Sequence, residues 1–115
     1  MTGPREKSIV KAILRALNAT PGCFAEKRHG TAFGHAGAPD IAGVYLGRAF
    51  YLEVKRPGEA ATKIQIIQLA RRGAAGAIVA VVHSVQEAID TLGIRRSRAP
   101  GNRIARDADP VRDAG

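Results

Sequence analysis

Gly37-Ala38-Pro39-Asp40-Ile41-Ala42-Gly43-Val44-Tyr45-Leu46-Gly47-Arg48-Ala49-Phe50-Tyr51-Leu52-Glu53-Val54-Lys55 runs through the middle of the chain. Two β-prone segments, Ile41 to Leu46 and Ala49 to Lys55, flank Gly47, which predicts a hairpin turning there. Side chains alternate faces along a strand. Phe50, Leu52 and Val54 therefore form an apolar set for the core, and Tyr51, Glu53 and Lys55 face a cleft or solvent. A two-residue turn at Leu46-Gly47 pairs Tyr45 with Arg48, and a four-residue loop keeps that register. Followed outward, it sets Asp40 opposite Glu53, with Cβ atoms about 5 Å apart. A one-residue slip at the turn would separate them.

Two carboxylates so close repel, and a buried charge is costly unless paired or metal-bound. A Mg²⁺ or Mn²⁺ ion between them removes the conflict and suits their hard oxygen atoms. Such an ion acidifies water and neutralises charge on a phosphate. Lys55, beside Glu53, is placed to orient the attacking water or to stabilise the phosphorus centre. The pattern predicts metal-dependent hydrolysis of phosphodiester bonds. Glu-x-Lys alone also fits a solvated pair on an edge strand; Asp40 opposite it, after Gly-x-Pro, favours the metal site.

Upstream, residues 5 to 19 read as a helix, with Ile9, Val10, Ile13, Leu14 and Leu17 at helical spacing. Glu6 falls in the same stripe as Ile9, Val10, Ile13 and Leu17. It either answers the helix dipole in the first turn or joins the acidic pair. Thr20-Pro21-Gly22 ends the helix, a short strand is expected from Cys23 to His29, and Gly30 to Ala38 reads as a flexible loop. Lys27 and Arg28, with Arg56, are candidate phosphate contacts, whereas His29 and His35 read as solvated. Downstream, Pro57-Gly58 breaks the hairpin and a helix follows from about Lys63 to Arg72. Thr62 and Gln65 form a capping-box pattern at its start. Gln65 flanks an apolar stripe of Ile66, Ile67, Leu69 and Ala70, so its amide is also a candidate for the cleft. Gln68 lies further round, on the polar face. Ala77 to His83 reads as an inner strand, and Ser84 with Glu87 opens a short helix ending at Gly93.

The 115 residues suffice for one domain. A net charge of +8, with 13 arginines against 5 lysines, points to a polyanion such as nucleic acid, although base composition also enriches arginine. Cys23 is the sole cysteine, which excludes an intrachain disulfide and a cysteine-based zinc cluster and fits a reducing cytoplasm. The N-terminus lacks a signal-peptide pattern and the longest apolar run is too short to span a bilayer. From Arg95 onward, arginines mix with aspartates, prolines and glycines, with little apolar surface to offset ordering entropy. Residues 1–94 are accordingly expected to form the domain, and 95–115 a disordered basic tail.

Glu6, Gly37-Ala38-Pro39-Asp40, Glu53-Val54-Lys55, Thr62-x-x-Gln65 and Gly76 to Ser84 occur in an order and spacing that resembles the VRR-NUC domain of the PD-(D/E)xK nuclease superfamily. The resemblance covers residues 5 to 93 or so. It implies an α/β, restriction-endonuclease-like αβββαβ core, its mixed sheet flanked by helices. It also implies Asp40, Glu53 and the Val54 carbonyl as metal ligands, with Glu6 as a further candidate. Lys55 becomes the catalytic lysine, and Gln65 and Glu6 supporting site residues. Small stand-alone members resemble Holliday-junction resolvases, which implies a homodimer, of bacterial or phage origin, acting on four-way or other branched DNA. The expected function is a Mg²⁺- or Mn²⁺-dependent endodeoxyribonuclease. The alternative is a non-catalytic nucleic-acid-binding module, which predicts salt-dependent binding without any metal-dependent product. A structural or toxin-neutralising protein would need an exposed apolar patch.

Overall fold

The computed structural model of the chain describes residues 5–28 and 36–95. The expected tail lies outside the described residues except for Arg95, as do His29, His35 and most of the glycine-rich loop. The elements follow the order α1 (Glu6–Asn18), β1 (Cys23–Lys27), β2 (Ile41–Tyr45), β3 (Arg48–Val54), α2 (Lys63–Ala74), β4 (Ile78–Val82) and α3 (Val85–Leu92). Four strands form one mixed sheet in the order β1-β2-β3-β4. The first three pair antiparallel, and β4 lies parallel to β3 after the α2 crossover. The fold is the expected α/β sheet flanked by helices.

The β2–β3 hairpin has the register read from the turn, Tyr45 opposite Arg48 and Ile41 opposite Leu52. Leu46 and Gly47 form the turn with φ of 49° and 85°, the paired positive values that a type I′ hairpin requires. A leucine is strained there; its backbone N–H donates to the Gly22 carbonyl at 2.9 Å, which helps to hold it. Gly43 sits opposite Phe50. A Cβ at position 43 would meet both the Phe50 ring and the Phe24 carbonyl, so the absence of a side chain lets Phe50 lie flat in the core.

One face of the sheet carries the core. Phe50, Leu52, Val54, Ile41 and Val82 pack with Ile9, Val10, Ile13 and Leu17 of α1 and with Ala88 and Leu92 of α3. The α1 stripe is the one its periodicity predicted. α2 packs on β3 and β4, against the opposite face, where the Arg72 guanidinium lies over the Tyr51 ring. Thr62 and Gln65 form the expected capping box. Ser84 caps α3 as expected, but Glu87 does not close a second box. Its carboxylate instead accepts from the backbone N–H of His83 at 2.8 Å, and Gly93 ends the helix in the left-handed conformation.

Two expectations are corrected. β4 is an end strand of the described sheet, not an inner one. Its apolar run reflects helices on both of its faces, with α2 on one and α3 packed near it on the other. The apolar stripe expected on α2 is also turned the wrong way. Of its members, Leu69 is buried as expected, but Ile66 and Ile67 are 53% and 48% exposed and Ala70 is exposed too, while Gln68, expected on the polar face, is buried beside Leu69. The β1 edge is closed by Asn18, whose side chain donates to the Ala25 carbonyl and accepts from the Ala25 N–H, each at 2.9 Å. Among the described residues no helix is long and apolar enough to cross a membrane.

Because the space at residue 43 is filled by Phe50 and backbone, Gly43→Ala is expected to destabilise by about 1–3 kcal/mol through overpacking. Pairing it with Phe50→Leu should recover part of the loss. Urea denaturation of the single and double variants measures both effects.

Candidate active site

The site forms where the β2–β3 ladder stops. Pro39 is fully buried and has no N–H to offer a neighbouring strand. Asp40, next to it, is held from both sides. Its carbonyl accepts from the Arg28 N–H of the β1 end at 2.7 Å, and its Oδ2 accepts from the Val54 N–H of β3 at 2.8 Å. A side chain thus replaces the missing rung of the ladder. The same bond fixes the Glu53–Val54 peptide beside the carboxylate pair; the Val54 carbonyl, the expected third oxygen of the metal site, belongs to the next peptide.

Glu53 lies beside Asp40, as the register required, but buried rather than facing solvent. It is 2% exposed, and its Oε1 has no hydrogen-bond partner. Lys55 Nζ stands 4.0 Å from the other oxygen, Oε2. Burial pushes the Glu53 carboxyl up to about 8, and the negative charge and hydrogen-bonding proximity of Asp40 add to the effect, while Lys55 opposes it. An unpartnered, buried carboxylate oxygen next to a second carboxylate is a costly arrangement, of the kind that a hard divalent cation would relieve.

The residues suit a hard divalent cation by donor chemistry, since Asp40 and Glu53 bring carboxylate oxygens together and one of these lacks any other partner. Asp40 and Glu53 would hold it, with the Val54 carbonyl. Among the described residues, no group of three or more His, Cys, Asp or Glu side chains is arranged to hold a metal ion. Glu6 is near enough to feel Asp40 and Lys55, but its carboxyl lies in hydrogen-bonding reach of Glu59. Burial first, and then Glu59, raise the Glu6 pKa.

Gln65 is turned to the Thr62 N–H, from which its Oε1 accepts at 2.8 Å, so its side chain serves the helix start. Arg56 pairs weakly with Glu59 at 3.9 Å on the surface. Lys27 and Arg28 are exposed at the open end of β1.

Glu59 and His83 were missed. Glu59 sits in the β3–α2 loop, where no periodicity marks a side chain's direction. Its one sequence signal was an acid four residues after Lys55. The His83 Nδ1 lies 2.9 Å from the Glu87 carboxylate and Nε2 lies 3.0 Å from the Glu59 carbonyl. The nitrogen facing a carbonyl must carry its hydrogen, and the hydrogen bond to Glu87 lifts the imidazole pKa. His83 thereby straps the loop that carries Glu59 to the start of α3.

Without a bound cation, Glu53 links stability to pH. Its folded-state pKa of about 8 lies above its ordinary 4.5, so its contribution is fully present below the lower value and is lost as pH rises through the interval. Urea denaturation in EDTA should show stability falling between about pH 5 and about pH 9 by no more than a few kcal/mol. Glu53→Gln should flatten that fall and be the more stable protein at the alkaline end. Equal slopes in both proteins would remove the buried acid from the account.

No family model matches the chain, and no curated protein matches it. Solved structures do. One, described as a VRR_NUC domain, is 23% identical and superposes with a TM-score of 0.65, covering 82% of this chain and 100% of that one. Another, described as a VRR_NUC domain protein, is 15% identical with a TM-score of 0.68, covering 81% of this chain and 88% of that one. Likeness at these identities is a likeness of architecture: the chain has the fold of a VRR-NUC domain.

Proposed function

We propose that the chain is a divalent-metal-dependent endodeoxyribonuclease. The observation that carries the reading is the Glu53 carboxylate, buried, with an unpartnered Oε1, and set between Asp40 and Lys55. The VRR-NUC fold supports it, because the two comparison structures carry a nuclease domain's description. The net charge of +8 supports a polyanionic substrate.

A bound Mg²⁺ or Mn²⁺ supplies positive charge at the scissile phosphate and lowers the pKa of water. The chain's own groups do the positioning. Asp40, pinned to the Val54 N–H, and Glu53, fixed by burial, present preformed oxygens, so little reorganisation is needed when a cation arrives. Lys55 is held by β3 beside Glu53. Its ammonium can hold the attacking water or donate to the phosphoryl oxygen on which charge grows. Lys55 also shields Glu53 electrostatically, favouring the ionised acid that metal binding needs. Gln65 acts indirectly, fixing the start of α2.

The finer substrate we propose is branched DNA cut by a homodimer, inside the cell, where Cys23 stays reduced. Two sites related by a twofold axis suit symmetrically placed strands. This refinement rests on the likeness of the sequence motifs to small resolvase-like nucleases.

Incubation with four-way-junction and matched linear DNA, with Mg²⁺, Mn²⁺ or EDTA, tests the reading. Cleavage is expected with the metals and not with EDTA. Asp40→Asn and Glu53→Gln should abolish it, and Lys55→Ala should lower the rate by about 10²–10³. DNA retained in a salt-dependent manner with no product in any metal would identify a non-catalytic binding module instead. Equal cutting of both substrates would remove branched-DNA selectivity but leave the nuclease.

A further inference from the structure

α2 is inside out. The helix points Ile64, Ile66 and Ile67 toward solvent and turns Gln68 and Arg72 to the sheet with Leu69. A rotation about its axis would bury the isoleucines, so the polar inner face needs a reason.

That face is organised around Arg72. Nη1 of its guanidinium donates to the Gln68 carbonyl and to the Gln68 Oε1, both at 2.9 Å. Its Cζ lies 5.2 Å from the centroid of the Tyr51 ring. All of these partners are neutral. The ion pairs among the described residues are Lys55–Glu53, Arg56–Glu59 and His83–Glu87, and none takes in Arg72. The C-terminal turn of α2 gives the cation a weak, screened attraction. That does not call for a stacked tyrosine or a buried glutamine. A guanidinium oriented by a ring and an amide, with donors to spare and no carboxylate, is preorganised for an oxyanion.

Its position names the anion. Tyr51 and Glu53 share one face of β3, two residues apart, which is about 7 Å along the strand. Duplex DNA advances about 3.4 Å per nucleotide along its axis. A nucleic-acid strand running along β3 with its scissile phosphate at Asp40 and Glu53 would therefore bring a phosphate about two nucleotides away to the partly exposed edge of Tyr51 and Arg72. Resting on the reading of a nucleic-acid substrate, we propose that Arg72, set by Tyr51 and Gln68, is a phosphate subsite that grips the DNA backbone near the cut.

Fluorescence anisotropy of a labelled linear duplex, titrated with the full chain over a range of salt, tests the subsite. All proteins carry Asp40→Asn so that no cleavage occurs. Arg72→Ala should weaken binding roughly tenfold or more and lower the slope of log Kd against log salt by about one. Arg72→Lys should keep the slope while losing affinity, because it retains charge without the planar fork. Arg71→Ala removes the adjacent, outward-facing charge and should leave the slope unchanged. If Arg72→Ala does not melt cooperatively, Arg72→Gln, which keeps a donor toward Gln68, takes its place. Unchanged affinity and slope in the folded Arg72 variant overturn the proposal, as does an equal change in the Arg71 variant. If the series shows the Arg72-dependent slope but the chain with Asp40 intact never cleaves DNA in Mg²⁺ or Mn²⁺, the nuclease reading fails and the subsite stands. A parent that cleaves, with Arg72 variants binding normally, fails the other way.

Discussion

Everything at the site depends on one hydrogen bond, from the Val54 N–H to Asp40 Oδ2 at 2.8 Å. The β2 ladder begins only at Ile41, and without the Asp40 carboxylate the Val54 N–H at the end of β3 would be a buried donor facing nothing. The aspartate fills that role and in doing so is fixed beside Glu53. The acid is thus structural and chemical at once. Its backbone is tied to β1 through Arg28 and its side chain to β3, so the three antiparallel strands meet at this residue.

The cost appears next door. Glu53 is buried with one oxygen unpartnered, and Lys55 at 4.0 Å compensates only in part. A purely structural fold gains from an apolar residue at such a position. Retaining an acid there keeps the metal-free domain below the stability its core could otherwise reach, a familiar relation between binding sites and folding. The core on the far side of the sheet, formed by Phe50, Leu52 and Val54 against α1 and α3, absorbs that cost.

Much of this was legible because strand and helix periodicities carry direction. Gly47 sets the hairpin parity, and parity alone brings Asp40 to Glu53; likewise the α1 stripe follows from Ile9, Val10, Ile13 and Leu17. Reading failed where direction is set by tertiary partners. Isoleucines on α2 looked like its inner face, yet the Tyr51 face of the sheet takes Gln68 and Arg72 instead. Glu87 fitted a capping box, but His83 offers it both a backbone and a ring nitrogen, which outcompete the Ser84 N–H. Glu59 had no repeating pattern to reveal it. For Glu53 the sequence left cleft and solvent both open, because alternation separates two faces but does not say that both are covered.

The Asn18 side chain has a consequence for assembly. By engaging both the N–H and the carbonyl of Ala25, it acts as a one-residue fifth strand, and the Thr20 carbonyl takes the Cys23 N–H beside it. Of the outward hydrogen-bonding groups of β1, both of Ala25 and the N–H of Cys23 are thus consumed within the chain. A second copy could not extend the sheet along this stretch of β1 without first displacing the Asn18 side chain at the end of α1.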